Sequence, residues 1–128
     1  MSKINCLCGH VIVDQTDNLA YKAIFVRHQD LEQTDNWTKD IANFIISLKI
    51  GKRKEWLNEY FNSDIYDNIS DESVVFDIMA KNTFNYESII YQCEKCGRVL
   101  IQKGNQNQYL SFYPEDDNWV DLFKGNSR

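Results

Sequence analysis

Two short cysteine stretches contain the residues best suited to chemistry in this 128-residue chain. One reads Cys6-Leu7-Cys8-Gly9, and the other reads Cys93-Glu94-Lys95-Cys96-Gly97. Two thiolates one or two residues apart can turn around a metal ion when glycine follows, because glycine adopts backbone angles that a Cβ opposes. The chain has four cysteines, which is the ligand number of a closed, structural zinc site. We therefore predict one structural Zn²⁺ bound by Cys6, Cys8, Cys93 and Cys96.

Other uses of the cysteines stay open at this point. A disulfide needs an oxidising compartment, and residues 1–5 lack the charged and apolar run of a secretory signal, so we expect a reduced, cytoplasmic protein. A redox pair at Cys93 and Cys96 is disfavoured, because Val99 continues a strand-like run where a helix would be expected. His10 either replaces a cysteine as a metal ligand or lies beside the site.

The segments around the cysteines predict the elements that position them. Strand-like sequence flanks both pairs, over about residues 3–27 and 88–113, which predicts two hairpins facing each other across a metal. Helical spacing predicts a three-helix insertion over about 34–82 and a short helix over about 117–124. The predicted fold class is α+β in a single domain, 1–128, with a small antiparallel sheet formed from both chain ends and the helices inserted between the cysteine pairs.

The first inserted helix shows the clearest apolar face. Five apolar residues follow one another at spacings of four, three, one and three, which places them on one side of a helix. We predict that this face is buried in the core: Trp37, Ile41, Phe44, Ile45 and Leu48.

The cysteine pairs resemble the knuckles of zinc-ribbon, or rubredoxin-like, proteins. The resemblance covers about residues 3–13 and 88–113 and implies a ribbon of antiparallel strands held by structural zinc. Two departures are visible: Cys-x-Cys replaces one Cys-x-x-Cys, and 84 residues, 9–92, separate the pairs. A compact ribbon has about 15 to 20 residues there. Loop-closure entropy grows only logarithmically with length, so a long insertion is compatible with one site.

Composition limits the classes of partner. The net charge is −5 and the sequence pI is about 4.9, and no basic stripe interleaved with aromatic residues appears, which disfavours nucleic acid as a partner. No apolar run approaches the ~20 residues of a membrane span. We expect a basic protein partner. Its candidate binding residues are five acids in a stretch without lysine or arginine, whose alternative roles are helix capping and solvation: Asp64, Asp67, Asp71, Glu72 and Asp77.

Three classes of function remain in view. An enzyme is disfavoured, because the cysteines are assigned to metal, the two histidines are far apart in sequence and no glycine-rich phosphate loop is present. In size and charge the chain resembles small acidic bacterial immunity proteins encoded beside polymorphic toxins. That resemblance implies a cytosolic inhibitor that covers a basic toxin domain with acids and aromatic side chains. A zinc-ribbon adaptor of the transcription or translation machinery is the alternative, and it would be expected to show more surface lysine and arginine.

Overall fold

A computed structural model describes residues 2–104 and 106–126. It divides into two compact units, one formed by Met1–Phe25 together with Glu87–Arg128 and the other by Val26–Tyr86. The cysteines all lie in the first unit, and the long helices all lie in the second. Within the described residues, no helix has the length and apolar character needed to cross a bilayer.

The first unit begins with a hairpin around Cys6 and Cys8. Strand β1 spans Ser2–Asn5 and strand β2 spans Val11–Asp14, and they pair antiparallel from Ser2 opposite Asp14 to Asn5 opposite Val11. The β-branched residues of β2 suit a strand, and Ile12 is buried. This register places the cysteines in the turn between the strands.

A four-stranded sheet completes the first unit, in the spatial order β3-β4-β5-β6. Its strands are β3 (Lys22–Val26), β4 (Glu87–Gln92), β5 (Val99–Gln102) and β6 (Tyr109–Phe112). Strands β4 and β5 pair antiparallel, as do β5 and β6. The turn between β4 and β5 contains the second cysteine pair, and the buried core of the unit consists of Cys6, Ile12, Tyr91, Cys93 and Leu100.

The strands form two sheets, whereas the sequence predicted one ribbon sheet from both chain ends. The α+β class is confirmed, with two small antiparallel sheets and the helices between the cysteine pairs. Side chains rather than a backbone ladder connect the two sheets. The Tyr21 hydroxyl donates to the carbonyl of Val13, and the Tyr91 hydroxyl donates to the carboxylate of Asp14. Residue pattern predicts strands well, but it does not show which strand pairs with which.

The second unit is helical. It contains one short turn of helix, α1 (Leu31–Thr34), and three longer helices, α2 (Asn36–Lys49), α3 (Arg53–Phe61) and α4 (Asp71–Thr83). The Ser70 hydroxyl caps helix α4 by accepting a hydrogen bond from the Ser73 amide. The three longer helices pack on a core formed by Phe44, Leu57, Val74 and Ile78.

The buried face of α2 is narrower than predicted. Phe44 is buried, and Trp37 and Ile41 pack against the core, but Ile45 and Leu48 are 44% and 37% exposed. Ser47 is buried in their place, and its hydroxyl donates to the Phe44 carbonyl at 2.6 Å. Periodicity shows which residues share a helix face, but the neighbouring helices decide how much of that face they cover.

The helix predicted over 117–124 is absent, since this segment consists of bends and irregular chain. The buried side chain of Gln92 explains the difference. Its amide nitrogen donates to the carbonyl of Val120 at 2.9 Å, and its oxygen accepts from the amide of Leu122 at 2.9 Å. These bonds to β4 satisfy backbone groups that a helix would otherwise pair internally.

Candidate metal centre

The first knuckle is the turn that joins β1 to β2. The amide of Cys6 donates to the carbonyl of His10 at 2.9 Å, and the amide of Gly9 donates to the carbonyl of Cys6 at 3.0 Å. Gly9 has φ of +95°, a conformation that glycine adopts without the steric cost other residues pay. The chain thus reverses within a few residues around Cys6 and Cys8.

The second knuckle joins β4 to β5 with the same pattern of bonds. The amide of Cys93 donates to the carbonyl of Arg98 at 2.8 Å, and the amide of Gly97 donates to the carbonyl of Cys93 at 2.9 Å. Gly97 has φ of +80°. The two knuckles therefore close with corresponding pairs of backbone hydrogen bonds, and each bond spans one more residue in the second knuckle, which contains Cys-x-x-Cys where the first contains Cys-x-Cys.

The four sulfur atoms form one cluster. Cys6 Sγ lies 3.6 Å from Cys96 Sγ, and Cys8 Sγ lies 3.6 Å from Cys93 Sγ. All four sulfurs lie within 4.8 Å of one another. A disulfide has an S–S distance of about 2.05 Å, so these cysteines are free thiols.

This spacing fits a four-coordinate metal ion. A tetrahedron with metal–sulfur bonds of about 2.3 Å has sulfur–sulfur edges of about 3.8 Å. The observed separations of 3.6 to 4.8 Å bracket that value. Cys6 and Cys93 are buried while Cys8 and Cys96 are partly exposed, so the cluster lies at the edge of the core of its unit. The four cysteines can hold a metal ion.

The thiols differ strongly in acidity. Burial and the neighbouring sulfurs of Cys8 and Cys6 together raise the pKa of Cys93 to about 12, against backbone hydrogen bonds that lower it. Burial acts in the same direction on Cys96, but hydrogen bonds from the backbone and side chain of Arg98 outweigh it and lower the pKa to about 6. A metal ion at this site displaces the remaining thiol protons, because the thiolate is the ligand.

Arg98 is a contributor that the sequence analysis did not identify. Its Nη1 donates to Cys96 Sγ at 3.3 Å, and its guanidinium lies 4.5 Å from the centre of the Tyr113 ring. A cation beside a tetrathiolate site offsets part of its negative charge. The only sequence signal was a basic residue two positions after the last cysteine, and spacing alone does not show where such a side chain points.

A hydrogen-bonded group of polar residues supports the cluster from the neighbouring strands. Asp14 at the end of β2 accepts from the Tyr91 hydroxyl and forms an ion pair with Lys22 at 2.6 Å. Burial raises the pKa of Asp14, but the hydrogen bonds and charge of Lys22 and the Tyr91 hydroxyl outweigh it and hold the pKa below its ordinary value. Burial and the bond to Asp14 raise the pKa of Tyr91 well above its usual range. These contacts join the first hairpin to the four-stranded sheet.

The histidine considered as an alternative ligand lies outside the sulfur cluster. Among the described residues, the side chains close enough together to share a metal ion are those of the four cysteines, and His10 is not among them. His10 instead contributes its backbone carbonyl, which closes the first knuckle through the Cys6 amide.

The acids predicted to bind a partner lie in the helical unit, and three of the five have partners within that unit. Asp71 accepts from Arg53 Nε at 2.9 Å, Asp77 accepts from the Tyr66 hydroxyl at 2.8 Å, and Asp67 lies 3.8 Å from Lys54 Nζ. Asp64 and Glu72 are exposed. Three of the five acids therefore have contacts within the helical unit, which neither the predicted partner binding nor the alternatives of capping and solvation included.

The structure defines an α+β protein with a four-cysteine cluster capable of holding a metal ion. The chain belongs to the family described as a domain of unknown function, DUF8617, whose model matches residues 2–116. That match spans both cysteine pairs and all the helices between them. No curated protein and no solved structure matches the chain. The comparisons identify neither a zinc-ribbon family nor an immunity-protein family.

Proposed function

We propose that the four-cysteine cluster binds one structural zinc ion in a ribbon-like site. The observation that supports this most directly is the convergence of four free thiols within 4.8 Å from two turns that are each closed by a pair of backbone hydrogen bonds. Four sulfur ligands favour zinc or iron over magnesium, calcium or manganese, which prefer oxygen. The closed ligand set has no open position for substrate or water, so the proposed role is structural and non-catalytic.

Elemental analysis of protein purified under reducing conditions tests the metal. We expect one zinc per chain, loss of that zinc in Cys93→Ser, and retention in His10→Ala, because the His10 side chain lies outside the sulfur cluster. One iron per chain, with the visible absorption of iron thiolates, would contradict the assignment of zinc but would support a four-cysteine metal site. A folded protein without metal, or one with two disulfides, would contradict both the assignment of zinc and the metal site itself.

We also propose that the protein binds a basic protein partner in a reducing, cytoplasmic setting, as an immunity-type inhibitor of a bacterial toxin. The support comes from the net charge of −5, from the resemblance to immunity proteins in size and charge, and from exposed acids such as Asp64 and Glu72. Opposite charges on two proteins steer their encounter and increase the association rate. The adaptor of transcription or translation machinery is the alternative partner class.

A pull-down from native cells, followed by association rates in a salt series, tests the partner. We expect a basic protein whose association slows as salt rises, because exposed charges act over a Debye length of about 8 to 10 Å near physiological salt. The double variant Asp64→Lys, Glu72→Lys removes exposed acids while leaving the Arg53 and Tyr66 pairs intact. The matched control reverses two exposed acids elsewhere, Asp17→Lys and Glu32→Lys. Association independent of salt, or equal loss in both variants, would contradict a specific acidic face between Asp64 and Asp77.

A further inference from the structure

A cavity of about 340 Å³ lies in the first unit, beside the second knuckle. The end of β6 contributes Phe112 and Tyr113 to its walls, and the segment that follows contributes Asp116 and Trp119. Gly97 of the second knuckle also lines it. Neither the sulfur cluster nor the acids of the helical unit make use of this cavity.

The segment that forms one wall is held in place by specific contacts. Gln92 bonds both the carbonyl of Val120 and the amide of Leu122, each at 2.9 Å. The indole of Trp119 packs so closely on Gly97 that a Cβ there would lie 2.3 Å from the ring. The amide of Asn118 donates to Asp116 at 3.0 Å. The wall is therefore ordered before a ligand arrives, which lowers the entropic cost of binding.

The lining combines exposed aromatic rings with a carboxylate. Phe112 and Tyr113 are 53% and 57% exposed, although large aromatic side chains are usually buried on folding. The face of an aromatic ring attracts cations, and most strongly when several rings surround the charge. Tyr113 already accepts one cation in this way, the guanidinium of Arg98, which is hydrogen-bonded to Cys96.

The segment that forms one wall of the cavity carries charge of one sign. Residues 114–123 contain four acids and no lysine or arginine: Glu115, Asp116, Asp117 and Asp121. Of these four acids, Asp116 lines the cavity itself. A ligand with an apolar stem and a positive end matches both the ring-lined walls and the acidic surroundings, whereas a neutral apolar ligand uses only the walls.

We propose that this cavity binds the alkylammonium group of a lysine side chain from a partner protein. The inference deepens the proposed binding of a basic partner and rests on it for the source of the lysine. The methylene stem packs against Phe112 and Trp119, the ammonium faces the aromatic rings, and Asp116 supplies the opposite charge. This binding role uses residues of the first unit and none of the acids of the helical unit.

The test uses the zinc-loaded full chain and two small probes. One is Nα-acetyl-lysine methylamide, and the other carries an additional acetyl group on the side-chain nitrogen and is therefore uncharged. We expect the charged probe to shift the Trp119 indole NMR signal with millimolar affinity, and the uncharged probe to bind at least about 5-fold more weakly. Equal binding of both probes would show an apolar pocket and overturn the proposal, as would the absence of any shift at 50 mM, about the highest practical concentration.

Two variants separate the site from general electrostatics. Asp116→Asn and Glu115→Gln each remove one negative charge from neighbouring positions, but only Asp116 lines the cavity. We expect Asp116→Asn to weaken the charged probe about 3- to 10-fold and Glu115→Gln less than 2-fold, since exposed charges interact weakly. Equal weakening would overturn the proposal. Zinc content and partner capture are measured separately, so failure of the probe is distinguishable from failure of the metal site or of partner binding.

Discussion

Gly97 combines two constraints at one residue of the second knuckle. Its φ is +80°, and a Cβ added there would lie 2.3 Å from the Trp119 ring. Gly9 in the first knuckle has φ of +95° with nothing within 4 Å of an added Cβ. Comparing substitutions at Gly9 and Gly97 therefore distinguishes the cost of backbone strain, which both share, from the cost of steric collision, which only Gly97 has.

We predict that Gly97→Ala destabilises the zinc-loaded protein more than Gly9→Ala. Backbone strain at positive φ costs about 1–2 kcal/mol in both variants. The collision with Trp119 adds about 1–3 kcal/mol in Gly97→Ala alone, as for other overpacked sites. Urea unfolding followed by circular dichroism measures both. Equal losses would mean that the indole moves aside without cost.

Asp14 gives a prediction about pH. Its folded-state pKa lies below the ordinary value of 3.8, so ionised Asp14 stabilises the fold at pH values above 3.8, and that contribution is lost as the pH falls through the folded-state pKa. Asp14→Asn retains the shape but has no such dependence. We expect the difference in unfolding free energy between wild type and Asp14→Asn to decrease as the pH falls below about 4. If the difference in unfolding free energy did not change with pH, ionised Asp14 would not stabilise the fold through its contacts with Lys22 and Tyr91.

The clustering of the four cysteines was predictable from sequence because it follows from their number and spacing. Arg98 and Gln92 were not, because their roles depend on side-chain direction. Gln92 reads as an ordinary strand residue, yet its buried amide bonds both Val120 and Leu122. The partners are about 30 residues distant along the chain, and no local pattern encodes such a contact.

At the scale of elements, Arg53 anchors the segment between α3 and α4. Its Nε donates to Asp71 at 2.9 Å and its Nη1 to the Asp67 carbonyl at 3.1 Å, while its Nη2 donates to the Ile69 carbonyl. The sequence analysis did not predict this contact, because the segment from Asp67 to Asp71 reads as an acidic, solvated stretch. The planar guanidinium supplies several donors at fixed angles, which suits a set of carbonyls around one point.

We predict that Arg53→Lys lowers the unfolding free energy of the helical unit by about 1–3 kcal/mol, because a lysine keeps the charge but cannot replace all these bonds. Helical circular dichroism during thermal unfolding measures the change. Lys54→Gln is the control, since its side chain is 71% exposed and its ion pair with Asp67 is 3.8 Å long. If Lys54→Gln lowered the unfolding free energy as much as Arg53→Lys, the hydrogen bonds of Arg53 would not be what stabilises this segment.

The helices were more predictable than their surroundings. The existence of α2, α3 and α4 follows from apolar spacing, and the sequence predicted three helices over about 34–82. The segment 117–124 has the same local signals, with acids before an apolar run, and yet forms no helix. A buried side chain from a distant strand competes successfully for its backbone, and only tertiary structure reveals that competition.

At the scale of the whole molecule, the two units have separate cores. The helical core consists of Phe44, Leu57, Val74 and Ile78, whereas the other core includes Cys6 and Cys93. Metal-binding energy contributes to folding where the ligands are, so removal of the proposed zinc ion would act directly on the first unit. The long insertion between the two cysteine pairs made it hard to predict from sequence which strands pair. Because that insertion has its own core, the effect of metal removal can be measured separately in each unit.

We predict that a chelator with a reducing agent increases hydrogen exchange in β1, β2, β4 and β5 while α2 to α4 retain protection. Hydrogen exchange with mass spectrometry reports each segment, and untreated protein with added zinc is the control. Loss of protection in all helices at the same rate as in the strands would show that the helical unit has no independent stability.

The position of the ligands also determines how a zinc-loaded chain responds to tension. Residues 9–92 lie between the two ligand pairs, so a pull on the two ends passes from Cys6 and Cys8 through the metal to Cys93 and Cys96. The 84 residues in between, including every long helix, carry no load while the metal–sulfur bonds hold. Their contour length, about 3.5 Å per residue, is released only when those bonds break. The bound ion would thus keep force away from the helical unit until the metal–sulfur bonds break.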